Sequence, residues 1–319
     1  MRQILRIGLL FWAIFLFMTG LSLSGQYRII QLSSGGSENW YPSINNNGEV
    51  VWQGWDGKHT NIYSNFRGQI TSNLGSTFPA INNNGEIVWM TMESISGNLG
   101  YSIYSNKRGR IQAHTQTEWY YFPSINDKGE IVCDKIYSNN NYGELISNTR
   151  GIIDSNTSGD YYYFVSSINS DGEIVYQKKY SGLFQIFSSV MGQITQNAYN
   201  NYSWYGKSKV NNSGEIVWYA DIGSQDYRVF SSTRGQLTNK YSLYPSINNN
   251  GEIVWMEYDE VRHNYHIYSS KHGLVTPLDM DARNPVINDL GQIAFVSGQH
   301  TYLALPVFSP APFMLLLLD

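Results

Sequence analysis

Six glutamates recur in one setting. Glu49, Glu86, Glu130, Glu173, Glu215 and Glu252 each follow a glycine and precede two β-branched residues, in phrases such as "INNNGEVVW", "INDKGEIVC" and "VNNSGEIVW"; a seventh copy, "INDLGQIAF", carries Gln292 instead. Three chemistries would use such a phrase. A calcium loop needs several carboxylates and a distant bidentate glutamate, whereas most ligand positions here are asparagine. General acid catalysis needs two or three groups in different environments converging on one substrate, and equivalent glutamates in separate repeats do not converge. A phosphate cradle needs a following helix or a lysine at fixed offset, and neither is present. Asn and Gly do tolerate positive φ, so Asn-x-x-Gly between two apolar runs reads as a hairpin turn.

The remaining reactive side chains are scattered. His59, His114, His263, His266, His272 and His300 show no metal-ligand spacing, and His263 and His266 would point to opposite faces of a strand. No serine lies in a nucleophile-elbow context. Cys133 is the only cysteine and occupies the slot held elsewhere by Trp52, Trp89, Tyr176, Trp218, Trp255 and Phe295, so it reads as a small buried hydrophobe, and no intramolecular disulfide can form. No metal or cofactor is expected.

The elements that must position these residues follow from the repeat. Its glycines fall at Gly48, Gly85, Gly129, Gly172, Gly214, Gly251 and Gly291, so seven units are expected. Each contains four short segments, seen first as "YPSIN", "GEVVW", "NIYSN" and "RGQIT", all β-branched or aromatic and bounded by Gly, Asn and Ser. The second is a continuous apolar run, which predicts a strand buried on both faces. Four-stranded antiparallel sheets packed face to face give an all-β, seven-bladed β-propeller. The last unit stops at Pro306 without a fourth strand, and residues 27–32, "YRIIQL", are expected to supply it and close the ring.

The pattern Pro-x-Ile-Asn-x-x-Gly-Glu-Ile-Val-Trp, then Ile-Tyr-Ser, then Gly-Gln-Ile-Thr, resembles the TolB-type propeller repeat over residues 27–305. It departs from that family in reading Asn-Asn-Asn-Gly where Ser-Pro-Asp-Gly is usual. No segment corresponds to the α/β domain that accompanies the TolB propeller, so the resemblance implies the fold and not a role in the Tol system.

Residues 1–24 have the order of a signal peptide: Arg2 and Arg6, the apolar run Ile7 to Leu21, then Ser22-Leu23-Ser24. Cleavage after Ser24 is expected, giving a secreted or periplasmic protein. The rival is an uncleaved anchor, the one membrane contact envisaged. Residues 25–305 form the propeller and 306–319 a tail. With formal net charge −4 and no basic patch, nucleic acid is not an expected partner.

The two hairpin turns of each unit fall on one face, so the variable connections lie on the other, where aromatic and polar residues gather. That face is read as a binding surface for a carbohydrate or protein ligand, with Trp40, Trp55, Asp56, Trp119, Tyr120, Tyr162, Trp204 and Tyr258 as contact residues. The aromatics before Pro or Ser, namely Tyr41, Phe78, Phe122 and Tyr244, are expected to pack between blades. Two alternatives remain: a polysaccharide lyase or hydrolase drawing on Asp56, Glu93, Glu118, Asp226 and Asp259 at the channel mouth, and a structural envelope protein.

Overall fold

The computed structural model describes residues 22–24, 26–33, 39–72, 75–138, 142–156, 163–180, 183–196 and 208–307. They form seven antiparallel sheets and no helix. Blade 1 has strands Trp40–Ile44, Val50–Trp55, Thr60–Ser64 and Gly68–Gln69, paired in chain order. Blades 2 to 6 repeat this order over residues 75–112, 118–156, 163–193, 209–236 and 242–274.

Blade 7 takes Ala282–Ile287, Ile293–Ser297 and His300–Pro306 from the end of the chain and Tyr27–Gln31 from its start. Tyr27 stands opposite Pro306 and Gln31 opposite Tyr302, which is the closure the incomplete seventh repeat predicts. A further strand, Ser22–Ser24, pairs outside Tyr27–Gln31 and lies within the segment expected to be cleaved.

Each second strand supplies the same buried pair. Val50 and Val51, Ile87 and Val88, Ile131 and Val132, Ile174 and Val175, Ile216 and Val217, Ile253 and Val254, and Ile293 and Ala294 are all closed to solvent. Side chains alternate across a strand, so such a pair stays dry only if both faces of the sheet are covered, as neighbouring blades do. The aromatic that follows stacks on its cross-strand partner: Trp52 on Tyr63, Trp89 on Tyr104, Tyr176 on Phe187, Trp218 on Phe230, Trp255 on Tyr268 and Phe295 on Tyr302. In blade 3 the pair is Cys133 and Ile146, both buried, and burial pushes the thiol pKa up, so Cys133 is packing material.

The innermost strand carries a bulge in six of the seven blades. Residues there adopt left-handed φ, at 52° for Tyr41, 53° for Phe78, 49° for Phe122, 51° for Tyr244 and 54° for Asn284. Such a φ costs a bulky side chain about 1–3 kcal/mol, so surrounding contacts must hold it. Ring centroids of Tyr41 and Phe78 are 4.3 Å apart, those of Phe78 and Phe122 4.7 Å, and those of Tyr244 and Tyr219 5.5 Å. These aromatics therefore bridge adjacent blades, as expected.

Candidate functional site

The repeated phrase closes on itself at the axis. Asn45, Asn82, Asn126, Asn169, Asn211, Asn248 and Asn288 each donate a side-chain N–H to the main-chain carbonyl of the same asparagine in the next blade, and Asn288 returns to Asn45 at 2.9 Å. Each Oδ1 accepts two main-chain amides of its own turn, as Asn248 does from Asn250 and Glu252. The seven side chains are buried, and this belt satisfies them.

The following residues narrow the channel to a cavity of about 160 Å³ lined by Asn46, Asn83, Asp127, Ser170, Asn212, Asn249 and Asp289 among others. Asp127 accepts from the main chain and side chain of Asn83, and Asp289 from Asn249 and Asn46. Their oxygens are occupied by neighbouring blades.

The recurrent glutamates are clamps. In blade 1, Glu49 accepts from Ser64 at 2.7 Å and from Arg67 at 2.8 Å, while Arg67 also donates to the Gly85 carbonyl of blade 2. The same set recurs around Glu86, Glu130 and Glu215. Blade 4 has Met191 in the arginine slot. In blade 6, His272 stands there, and Tyr27 from the N-terminal strand donates its hydroxyl to Glu252 at 3.4 Å. These contacts tie each of those turns to its neighbours.

On the opposite face, the residues read as ligand contacts are dispersed. Trp40 and Trp55 in blade 1 are partly exposed. Asp56 caps its own turn, accepting from the amides of His59 and Lys58 and from Asn61, and those amides hold its carboxyl below the usual range. Trp119 in blade 3 is half-buried, beside Gly100, where a Cβ would come within 2.9 Å of the indole. Tyr120 points inward: it packs with Val88, Ile103 and Cys133, and burial pushes its phenol up to about 12. Tyr162 and Trp204 lie outside the described residues.

Tyr258 is different, because it lines a cavity of about 680 Å³ between blades 5 and 6. One wall comes from alternate positions of blade 6. Trp255, Glu257 and Asp259 point to the same side, and across the sheet Tyr268 and His266 stand opposite Trp255 and Glu257. The other wall is Asp226 and Arg228 of blade 5, and the connection between blades adds Lys240 and Tyr241. Of the acids named from sequence, Asp226 and Asp259 meet here. Glu93 and Glu118 lie in blades 2 and 3, paired with Arg110 at 3.5 Å and Lys135 at 2.8 Å.

Three of the four acids lining this cleft are held by a base, Glu260 being the fourth. Asp226 binds Arg228, Glu257 lies 3.1 Å from Lys240, and Asp259 accepts Arg262 at 2.9 Å. The Arg262 guanidinium and main-chain amide hold Asp259 at about 2. His266 stands apart. Its ring is 1% exposed, neither nitrogen has a hydrogen-bond partner among the described residues, and Nε2 lies 3.7 Å from Asp259, beyond hydrogen-bond reach. Three tyrosines, Tyr241, Tyr258 and Tyr268, line the cleft, with Tyr241 6.3 Å from Tyr258 between ring centroids.

Glu257, Lys240 and Tyr241 are not among the contacts expected from sequence, and His266 is weighed there only as one of the scattered histidines. A signal for Glu257 was present: the second strand of blade 6 reads "IVWMEYDE", with Glu257 and Asp259 at alternate positions where a one-sided polar wall would need them. His263, by contrast, sits in the turn with φ 56° and bonds the Tyr258 hydroxyl at 3.2 Å.

Comparison with protein-family models and with curated proteins gives no match. Solved structures do match in fold. The β-propeller domain of the trilobed protease from Pyrococcus furiosus, described as having an open velcro topology, aligns over 85% of this chain and 96% of its own with a TM-score of 0.57 at 8% identity. Streptogramin B lyase aligns over 88% and 98% with a TM-score of 0.52 at 10% identity. The acylaminoacyl peptidase of Pyrococcus horikoshii aligns over 86% of this chain, which spans about half of that protein (53%), with a TM-score of 0.57 at 9% identity. Sheet order and these likenesses together define a seven-bladed β-propeller of four-stranded blades. In this one the ring is sealed by its own N-terminal strand Tyr27–Gln31.

Proposed function

We propose that this propeller, built on a TolB-type repeat, is a secreted or periplasmic binding module that takes its ligand in the variable-face cleft between blades 5 and 6. The observation that carries this is His266, a buried side chain with an unused donor and an unused acceptor on the wall of a 680 Å³ cleft. Clefts of roughly 300–1,000 Å³ with a few convergent polar groups are the usual size of ligand sites, and a buried unpaired polar group costs stability unless something uses it. The pairing of Asp226, Glu257 and Asp259 with bases favours recognition over proton transfer.

The test is binding. A ligand found by screening the intact protein is expected to lose affinity on Tyr258→Ala, with unfolding temperature unchanged, and equal affinity would remove the site. Localisation is checked by sequencing the N-terminus of exported protein, expected at Gly25.

One observation favours a second reading, an enzyme acting on polysaccharide: Asp259 and His266 share a wall, 3.7 Å apart. Propellers host many chemistries, so fold does not decide. Release of new reducing or unsaturated ends from a polymer, abolished by His266→Gln, would establish it.

A further inference from the structure

We infer that the cleft recognises a neutral, polyhydroxylated ligand, a saccharide, with His266 as the residue that reads one of its hydroxyls; this rests on the cleft being the binding site. Three features of the wall converge on that class.

The first is the complementarity of His266. A neutral imidazole offers one N–H and one lone pair, and a sugar hydroxyl is both donor and acceptor. Vicinal hydroxyls can serve both nitrogens, whereas a carboxylate or phosphate can only accept and an ammonium can only donate. The second is charge. Asp226, Glu257 and Asp259 are held by Arg228, Lys240 and Arg262 respectively, so among the described residues the wall presents no unpaired cation to bind an anion, and Glu260 is its one acid without a base. The paired carboxylates keep lone pairs free, and ligand hydroxyls can donate to these without being charged themselves.

The third is shape and surface. Tyr241, Tyr258 and Tyr268 line the cleft beside those polar groups. A pyranose has the same mixture, with apolar C–H faces and a polar equator. Aromatic rings with one wet edge suit it. The burial of His266 makes discrimination sharp: a ligand that enters but leaves the imidazole unpaired retains the cost of that unpaired group, so an analogue lacking the hydroxyl is rejected.

The experiment uses the full chain and isothermal titration calorimetry with three probes: neutral oligosaccharides, uronate oligosaccharides of matched length, and a lysine-rich peptide. Neutral oligosaccharides are expected to bind best. His266→Gln, which keeps a donor and an acceptor, is expected to stay within about threefold of the parent, and His266→Phe to lose about tenfold or more. Because His266→Phe removes an unpaired polar group, its unfolding temperature is expected to hold or rise. Should that variant fail to fold, the ring nitrogen resonances of His266 in the parent are expected to shift on saccharide addition. Binding of uronate or peptide that Tyr258→Ala abolishes would overturn the saccharide assignment while leaving the site in place. Saccharide binding indifferent to both His266→Phe and Tyr258→Ala would overturn the site as well.

Discussion

Asn248 serves three groups with one amide: its Oδ1 accepts the N–H of Asn250 and of Glu252, and its Nδ2 reaches the carbonyl of Asn288 in the next blade. Truncation leaves buried groups unpaired at about 1–3 kcal/mol each, so Asn248→Ala is expected to lower stability by about 3 kcal/mol. Its neighbour Asn250 makes one exposed bond, and Asn250→Ala is expected to stay within about 0.5 kcal/mol. Urea unfolding midpoints of the two variants check the contrast. At this scale the sequence is legible in part. The turn geometry of Asn-x-x-Gly follows from residue types alone, whereas the donor that leaves each turn for the next blade depends on a packing distance that no local pattern carries. His266 was hidden for the same reason, since only the approach of blade 5 shows what its ring faces.

Blades 1, 2, 3 and 5 are each joined to their successor by the glutamate clamp, and blade 4 lacks the arginine. Glu173 there accepts from Ser188 at 2.5 Å and is buried, while Met191 stands where Arg67, Arg108, Arg150 and Arg234 stand in other blades. Met191→Arg is expected to restore the pair and the bond to the Gly214 carbonyl. The arginines are more than a third exposed in the intact clamps, so solvent screening keeps the gain to about 0.5–1 kcal/mol. A double-mutant cycle with Glu173→Gln checks it, since the gain should vanish when the carboxylate is absent. Strands and their order were readable because apolar runs and turn residues are local. The bulge that turns Tyr41, Phe78, Phe122 and Tyr244 to left-handed φ was not, because nothing about a tyrosine or phenylalanine announces a conformation it disfavours.

For the whole molecule, closure rests on Tyr27–Gln31. Tyr27, Ile29 and Ile30 are buried, each side chain contributing about 1.5–3 kcal/mol. A chain beginning at Gly25 keeps all three and is expected to melt within a few degrees of the parent, whereas one beginning at Ser33 is expected to melt about 10 °C lower or more and to self-associate through the bare edge of His300–Pro306. Calorimetry with size-exclusion chromatography reads both effects. The ring itself was legible because the seventh repeat lacks a strand and the first residues supply one of the right type; the cleft was not, because its two walls come from different blades.

That shared blade also orders events in time. Blades 1 to 6 are each a local run of chain and can assemble as they are made, but Tyr27 meets Pro306 only when nearly the whole polypeptide exists. Contacts of such long sequence separation form slowly, since loop-closure entropy must be overcome before any pairing rewards it. Until that moment Tyr27–Gln31 waits without its mate from the end of the chain, and the last hairpin offers its edge to whichever such strand arrives. At low concentration that is its own. When chains are crowded it is a neighbour's, and exchange of that strand between two rings is the misassembly this topology invites.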